Sequence, residues 1–448
     1  MNQIKNIIIL LFVYLFSCTG GQSQEKYDLR ECMIYASEHA PANDRQVAQQ
    51  RIYKQDKTEA WGAFLPSAGV SANAEYNFGR SLDPATNTYQ DNKYFNNNYS
   101  ASLDLPLFNG LVRVNNFKMT EAIARMGNEQ VQVVRDRISL RVINAYYNVI
   151  YYRRLVDQME GKLAESERNL YQSLRMEELG LRAGADVAQM EANVAADQFG
   201  LTRQLNLLEN AWVELKCSMN FPLEDTLAID ESLGRLIPEL SAENPDSLFK
   251  RASVYLPEAL AARHQLVSMK YNYKKSMGSF FPTLSMYAGY NTNYFEALDS
   301  GSSTTPFKDQ FRNNAGQYVG VRVSIPVFNR LSKISDRRRA RFRLQMQEAD
   351  YEETMLKLQQ NITEGIADMN SAAREYIQAV RKMNAAEIAH NVNRRKFEEG
   401  MISALELQNS ANQLAQAQAE QVGMHVQYLI RKKQVDFYNG IPFISPVQ

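Results

Sequence analysis

The strongest constraint on the fold of this chain is an internal duplication. The motif L-P-L-F-N at Leu105–Asn109 recurs as I-P-V-F-N at Ile325–Asn329, in the second half of the chain. Four further pairs of landmarks keep the same spacing or a slightly shorter one: Gly180 and Gly400, Pro222 and Pro442, Pro41 and Pro257, and Pro66 and Pro282. Matching landmarks on both sides of one change in length predict a structural unit that is used twice. We assign the two copies to residues 24–240 and 241–448.

The composition excludes several classes of protein. The 448 residues carry 50 Lys and Arg against 50 Asp and Glu, so the basic surplus that a nucleic-acid partner requires is missing. The three cysteines lie too far apart in the sequence for a disulfide scaffold or a zinc site, and the four histidines are scattered. The sequence also lacks the common nucleophile, phosphate-loop and zinc-protease motifs. We therefore expect no enzymatic activity, no cofactor and no metal.

The first 23 residues are typical of a secretory signal. Lys5 precedes an apolar segment from Ile7 to Phe16, which is too short to span a bilayer, and small residues follow it. Two cleavage sites compete. Ordinary cleavage would release a chain that begins near Gln24, whereas Leu15–Cys18 resembles a lipobox in which Cys18 would be lipidated. We favour ordinary cleavage, because a lipid on Cys18 would barely reach the membrane from the first predicted helix.

Apolar residues every three or four positions predict very long helices. The stripe in the first copy consists of Val131, Val134, Ile138, Val142, Ala145 and Val149. We expect helices over about 110–179 and 185–220, and again over about 330–399 and 403–439, joined by turns at Gly180 and Gly400. The first would be roughly 105 Å long, and its narrow stripe is typical of a coiled coil.

Four segments alternate with period two and are predicted to be strands, at about 67–80, 97–106, 283–296 and 316–326. In the first, Val70, Ala72 and Ala74 share one face, and the intervening residues are polar or small. Their length suits tilted strands in an outer membrane, with polar exposed loops at 81–96 and 297–315. Because four strands cannot close a membrane barrel, we expect two, three or four copies to share one.

These residues resemble the family of TolC-like outer-membrane efflux factors. The likeness runs from about Tyr27 to Pro442, and its most specific marks are the duplicated L/I-P-L/V-F-N motif and the turns at Gly180 and Gly400. The resemblance implies a homotrimer with a 12-stranded β-barrel in the outer membrane of a Gram-negative bacterium, continuous with a long periplasmic α-helical barrel. It also implies two partners, a periplasmic adaptor (membrane fusion) protein and an inner-membrane pump, driven by protons or by ATP.

The resemblance also implies two sets of site residues at the helical turns. Four residues are expected to line a periplasmic aperture: Asp186, Glu406, Gln189 and Asn409. Six residues are expected to dock the adaptor: Gly180, Leu181, Arg182, Gly400, Met401 and Ile402. For Asp186 and Glu406 a purely structural role is an alternative to lining the aperture, since acidic residues in a first helical turn are stabilised by the helix dipole. Ser403 and Glu406 also match a capping box.

This chain departs from the family at the lock that holds the turns closed. Family members can carry an Arg two residues beyond the second glycine and a Tyr three residues before it, where this chain has Ile402 and Phe397. We therefore expect apolar packing to contribute more than an ion pair to closing the aperture, with Arg182 as a substitute partner for Asp186. We further expect Cys32 and Cys217 to be buried, and Tyr146, Tyr147, Tyr151 and Tyr152 to pack between helices.

The predicted function is that of an outer-membrane exit duct, which passively conducts substrates received from the adaptor and the pump. The alternative is a periplasmic coiled-coil scaffold without a membrane barrel. The four alternating strands favour the duct. The sequence leaves open which substrate is transported and which class of pump supplies it.

Overall fold

The computed structural model describes residues 26–82, 87–233, 238–298 and 305–444. The predicted signal sequence and Cys18 lie outside these residues. Nine helices are described: α1 Leu29–His39, α2 Pro41–Gly62, α3 Val112–Glu178, α4 Gly184–Met219, α5 Pro245–Tyr255, α6 Pro257–Gly278, α7 Phe307–Asn313, α8 Ser332–Glu398 and α9 Ala404–Tyr438. Four strands are described as well: β1 Ser67–Leu82, β2 Tyr89–Asn109, β3 Thr283–Ala297 and β4 Gly316–Ser324.

Each copy has two short helices, two strands and two long helices in this order, with α7 inserted between β3 and β4, in agreement with the duplicated fold class predicted above. Helices α3 and α8 each have 67 residues. Local sequence accounts for several boundaries. Asp28 and Glu31 form a capping box before α1. Helices α2, α5 and α6 begin with proline, whose fixed φ suits the first helical position.

The chain divides by its contacts into two units, and α3 and α8 each contribute residues to both. The helical unit contains residues 26–45, 131–256 and 356–444, and the sheet unit contains residues 46–130 and 257–355. Within the described residues, no helix is both long enough and apolar enough to cross a membrane.

The core of the helical unit lies where α1, α3 and α4 meet. Val142, Ile143 and Val149 of α3 are fully buried there, and Leu215 of α4 packs with them. The segment after α4 is held on this core by backbone hydrogen bonds of Tyr27 to Ala228 and Asp230. Tyr146 and Tyr147 belong to the buried cluster, and Tyr151 and Tyr152 pack against it, which confirms the predicted interhelical packing of the four tyrosines.

The predicted burial of cysteine is half right. Cys32 lies in the buried cluster, and burial raises the pKa of its thiol to about 12. Cys217, by contrast, is exposed. The neighbouring Leu215, Ser218 and Met219 of α4 are buried, so the position of Cys217 on the helix places it on the outer side.

The sheet unit contains one antiparallel sheet in the order β1-β2-β3-β4. Its register brings apolar residues together on one face. One row consists of Leu103, Ala288 and Val319, and the next consists of Leu105, Met286 and Val321. The opposite face carries polar rows such as Ser71, Ser100 and Asn291. Val70 and Val319 on the apolar face are 87% and 71% exposed, so the described residues leave these side chains uncovered.

The strand ends differ from the sequence prediction in three ways. Strand β2 begins at Tyr89, and β1 continues to Leu82, so much of the predicted loop 81–96 belongs to the sheet. The motif at Leu105–Asn109 lies in β2, whereas its copy at Ile325–Asn329 follows the end of β4. Leu105–Asn109 pairs with residues 283–286 of β3, whereas the pairing of β4 with β3 ends at Ser324, before the second copy begins.

The predicted loop 297–315 contains α7, which packs against β3. Gln310 accepts a hydrogen bond from Phe295 N–H and donates one to Phe295 O, at 3.0 and 2.9 Å. The side-chain amide thus supplies hydrogen-bond partners for the backbone N–H and C=O of Phe295, which lies in the part of β3 beyond its pairing with β4. Phe307 and Phe311 pack against Tyr99, and Thr292 donates to Phe311 O. The sequence analysis did not predict this helix, because a segment of seven residues is too short for a helical pattern of apolar residues to be recognised.

Candidate aperture and docking site at the helical turns

The long helices α3 and α8 each end in a turn of the same type. Gly180 and Gly400 have φ of 71° and 74°. After each glycine the chain donates back to the helix, from Leu181 N–H to Met176 O and from Met401 N–H to Lys396 O, both at 2.8 Å. This is the Schellman pattern, in which a left-handed residue ends a helix. The positive φ explains why glycine occupies both positions.

A small apolar cluster packs beside these turns. Phe397, three residues before the second glycine, is only 2% exposed. It packs with Met190, Ala404 and Leu407, and the cluster is bordered by Leu170 and Ile402. The members come from α3, α4, α8 and α9 and from the turn before α9. The two hairpins are therefore joined here by apolar contacts.

Arg182 contributes to the same packing. Its guanidinium lies 4.3 Å from the ring centroid of Phe397, and it donates a hydrogen bond to Ser173 Oγ at 2.6 Å. A cation over an aromatic face is worth about 0.5–2 kcal/mol, depending on desolvation. Among the ion pairs of the described residues, none joins Arg182 to Asp186. Arg182 thus contacts Phe397 and forms no ion pair with Asp186 within the described residues, and its role at a closed aperture stays a prediction.

Of the four predicted aperture residues, Asp186 and Glu406 lie in the first turns of α4 and α9, and Gln189 and Asn409 lie in the second turns. Asp186 is half-buried, whereas Gln189, Glu406 and Asn409 are exposed. Glu406 forms the predicted capping box with Ser403, through bonds of 3.2 and 3.4 Å. Gln189 donates to Asn193 Oδ1 at 3.1 Å. The structure thus gives Glu406 a role in capping, and its role at an aperture stays a prediction, as do those of the other three.

The predicted docking residues divide into two groups. Leu181 and Met401 are 74% and 61% exposed, so they are available to a partner. Arg182 and Ile402 are half-buried and pack toward Phe397. Beside the first turn lies an open groove of about 410 Å³, lined by Tyr171, Gln172, Arg175, Met176, Leu179 and Glu398. Apolar side chains and an available groove suit a protein partner at these turns.

Farther from the turns, a buried ion pair joins α3 to α4. Lys162 Nζ lies 2.6 Å from Asp197 Oδ1, and the two side chains are 13% and 3% exposed. Asp197 also accepts a hydrogen bond from Ser166, and Lys162 donates to Asn412 Oδ1 of α9 at 2.7 Å. The ammonium group therefore has two acceptors and each carboxylate oxygen has a donor, which is the kind of compensation that a buried ion pair needs.

A second polar contact joins α3 to α8 and α9. His390, which is buried, lies with Nε2 3.0 Å from Glu165 Oε1 and with Nδ1 3.1 Å from Ser410 Oγ. The Ser410 hydroxyl also lies 2.8 Å from Leu407 O, so it bridges the imidazole and the backbone of α9. The hydrogen bond from His390 holds the pKa of Glu165 below its ordinary value, although burial acts in the opposite direction.

These two polar contacts were missed by the sequence reasoning. The signal was present as charged and polar residues on the inner stripe of the long helices, where apolar residues predominate. In coiled coils such residues fix register and partner choice at a cost in stability. The described residues hold no cluster of three or more His, Cys, Asp or Glu side chains that could bind a metal ion.

Comparisons with known proteins point to outer-membrane efflux proteins. Residues 250–440 match the family described as "Outer membrane efflux protein". The alkaline protease secretion protein AprF of Pseudomonas aeruginosa is 22% identical over 419 residues, which cover 91% of this chain and 83% of AprF. The outer membrane protein TolC of Escherichia coli is 22% identical over 401 residues, covering 84% of this chain and 75% of TolC.

Solved structures share the fold. The CmeC outer membrane channel of Campylobacter jejuni superposes with a TM-score of 0.79 at 12% identity, covering 94% of this chain and 87% of CmeC. The outer membrane protein VceC of Vibrio cholerae gives a TM-score of 0.76 at 15% identity, covering 93% of this chain and 96% of VceC. The similarity therefore extends over nearly the whole chain and includes both the sheet and the long helices.

Proposed function

Because this chain belongs to the TolC-like family of outer-membrane efflux proteins, we propose that it is the exit duct of a tripartite efflux or secretion system. It resides in the outer membrane and has a periplasmic helical extension. The observation that carries this function is the combination of one four-stranded sheet with an exposed apolar face and two helices of 67 residues. Members of this family are channel and transport proteins, and the expected lack of enzymatic activity stays a prediction.

The duct is a homotrimer in this proposal. The strands β1 and β4 lie at the two ends of the sheet, and their outer backbone groups need partners within a bilayer. Three copies would supply twelve strands, enough to close a barrel. The apolar face of each sheet would then contact lipid, and the polar face would line the water-filled channel.

The partners are a periplasmic adaptor and an inner-membrane pump. The adaptor would dock at the turns, where Leu181 and Met401 are exposed beside the groove described above. The pump would supply the energy through the adaptor. Asp186 and Glu406 would place six carboxylates around the aperture of a trimer, and such a ring would favour cations over anions.

The native mass of the detergent-extracted protein, measured together with its membrane fraction, tests this function. We expect a trimer from the outer membrane. A soluble monomer or dimer from the periplasm would contradict the duct and would favour the coiled-coil scaffold. Docking is tested separately by replacing both Leu181 and Met401 with serine. We expect cross-linking to the adaptor to fall, while the trimer and its membrane fraction remain unchanged.

A matched control for docking is available on the same helices. Leu405 is also exposed, but it lies inside α9, after the connecting segment at Gly400–Ile402. Leu405→Ser removes a similar apolar area and should leave adaptor cross-linking near the level of the unmodified chain. Equal loss in the control and the double variant would exclude a specific role for the turns.

A further inference from the structure

A second duplicated motif lies where helices lead into the sheet. The sequence G-x-F-L/F-P occurs at Gly62–Pro66 and again, in the second copy, at Gly278–Pro282. Each copy joins the end of a helix, α2 or α6, to the start of a strand, β1 or β3. The same backbone hydrogen bonds recur at both, from Phe64 N–H to Trp61 O and from Phe280 N–H to Met277 O. We call these two segments the junctions.

Each junction exposes two adjacent large apolar side chains. Phe64 and Leu65 are exposed in the first, and Phe280 and Phe281 in the second. Trp61, one turn earlier, is exposed as well. Removing such side chains from water is favourable, so pairs left exposed at equivalent positions of the two copies indicate a surface that is covered in use.

A basic side chain stands beside each exposed pair. Arg113 donates to Ala63 O at 3.1 Å, and its guanidinium lies 5.6 Å from the ring centroid of Phe64. At the second junction, Lys333 donates to Ser279 O at 2.7 Å. Arg337, one turn later, has its guanidinium 5.9 Å from the Phe280 ring centroid. Both junctions therefore combine exposed aromatic rings with cations.

The second junction carries additional charge. Lys333, Arg337 and Arg341 are spaced by four residues, so they lie along one side of α8. Arg339 and Arg343 lie on the opposite side, where Arg339 forms an ion pair with Asp336. Among the ion pairs of the described residues, none includes Arg337 or Arg341.

The helix itself does not account for these cations. The first turns of α3 and α8 contain no acidic residue, whereas those of α1, α2, α4 and α9 each contain one. Basic residues near a helix N-terminus are disfavoured by the helix dipole. Arg113 and Lys333, in the first turns of α3 and α8, donate to carbonyl groups just after α2 and α6. Arg337 and Arg341, farther along α8, have no ion-pair partner among the described residues, so their positive charge is open to an external anion.

We propose that the two junctions anchor the duct in the periplasmic leaflet of the outer membrane, with the basic side chains contacting the phosphate groups of anionic phospholipids. This inference rests on the proposed function. The exposed pairs adjoin the strand ends that carry the apolar face of the sheet, with Leu284 and Val323 in its first row. Exposed Trp, Phe and Leu side chains bury at the boundary between headgroups and acyl chains, and basic side chains are attracted to anionic headgroups. A trimer would carry six junctions in a ring.

Lipid binding to the purified trimer tests the proposal. The probe is phosphatidylglycerol offered in competition with phosphatidylcholine, with bound lipids counted by native mass spectrometry. We expect Arg337→Gln combined with Arg341→Gln to lower the preference for phosphatidylglycerol by about 25-fold, or about fivefold for each arginine. The matched control combines Arg339→Gln and Arg343→Gln, which remove the same charge from the opposite side of the helix.

The control should keep most of the preference. If the control and the Arg337/Arg341 variant lose it equally, the effect is one of net charge, and the proposed anchor is wrong. If the Arg337/Arg341 variant keeps the preference, the proposal is also wrong. Both variants are first shown to be trimers, so a folding defect is not mistaken for lost lipid binding.

Trp61 separates failure of the anchor from failure of the duct. In a Trp212→Phe background it is the only tryptophan, because the chain contains two. Lipids brominated near the headgroup should quench its fluorescence if the first junction lies at the interface. Quenching without a preference for phosphatidylglycerol would overturn the phosphate contacts alone. No quenching would place the junction outside the membrane and contradict the proposed function as well.

Discussion

Replacing Asp197 with alanine would leave the ammonium group of Lys162 buried with one neutral partner. The two charges are 2.6 Å apart, and their side chains are 13% and 3% exposed. Removing one member of a buried pair costs about 3–5 kcal/mol, since the other charge remains without compensation. We expect the α3–α4 hairpin near these residues to open more easily by this amount.

The second copy supplies a control pair. Lys382 occupies the position in the second copy that is equivalent to Lys162 in the first. It pairs with Glu420 at 2.7 Å, but these side chains are 52% and 38% exposed. An exposed pair contributes about 0–1 kcal/mol. Glu420→Ala should therefore have little effect on the hairpin formed by α8 and α9.

Hydrogen exchange measured by mass spectrometry reports the opening of each hairpin separately. At about 1.4 kcal/mol for each factor of ten, Asp197→Ala should speed exchange around Lys162 between a hundredfold and a few thousandfold, as estimated from the cost of an uncompensated buried charge. Glu420→Ala should change exchange around Lys382 by less than about fivefold. A third variant, Lys162→Met with Asp197→Leu, replaces both charges with apolar groups and should recover most of the lost protection.

Two results would refute this reasoning. Equal effects of Asp197→Ala and Glu420→Ala would show that burial does not determine how much an ion pair contributes to the stability of its hairpin. A double variant as unstable as Asp197→Ala would show that the polar contacts themselves, and not the uncompensated charge, stabilise the hairpin.

Three further predictions concern pH, the aperture and the sheet. The hydrogen bond to His390 lowers the pKa of Glu165 from its ordinary value of 4.5, so this bond stabilises the fold above pH 4.5 and its contribution is lost as the pH falls below that value. Hydrogen exchange near the turns should show this acid sensitivity, and Glu165→Gln should remove it. Phe397→Ala leaves a cavity at a buried site, at a cost of about 3–5 kcal/mol. It should therefore raise single-channel conductance in planar bilayers more than Asp186→Ala does. A larger increase with Asp186→Ala would show that the carboxylate, and not the apolar packing, holds the aperture closed. Gln310→Ala removes two hydrogen bonds to β3, so limited proteolysis should cleave the chain around α7 faster than in the unmodified protein.

The sheet and the long helices could be predicted because their patterns repeat. Val70, Ala72 and Ala74 alternate with polar or small residues, and that alternation alone assigns a face. The helices have an apolar stripe over many turns, which averages out local irregularities. Their boundaries in the structure lie within a few residues of the predicted ones.

Features that depend on partners distant in sequence could not be predicted. Lys162 and Asp197 meet because two helices pack together, and no local pattern joins them. Helix α7 packs where β3 extends past β4, and its Gln310 binds β3 there, so its position depends on a contact that its own seven residues do not reveal. The same applies to Arg182, whose contact with Phe397 crosses from one hairpin to the other. The roles of the aperture and docking residues stay predictions.

The position of β1 and β4 at the ends of the sheet bears on how the protein reaches its membrane. A single subunit that entered the bilayer alone would expose the outer backbone groups of both strands to hydrocarbon, at several kcal/mol for each group left without a partner. Subunits should therefore meet before or during insertion. The rate of insertion should then rise more steeply than in proportion to subunit concentration, and a subunit with a blocked β4 edge should slow the insertion of normal subunits that assemble with it.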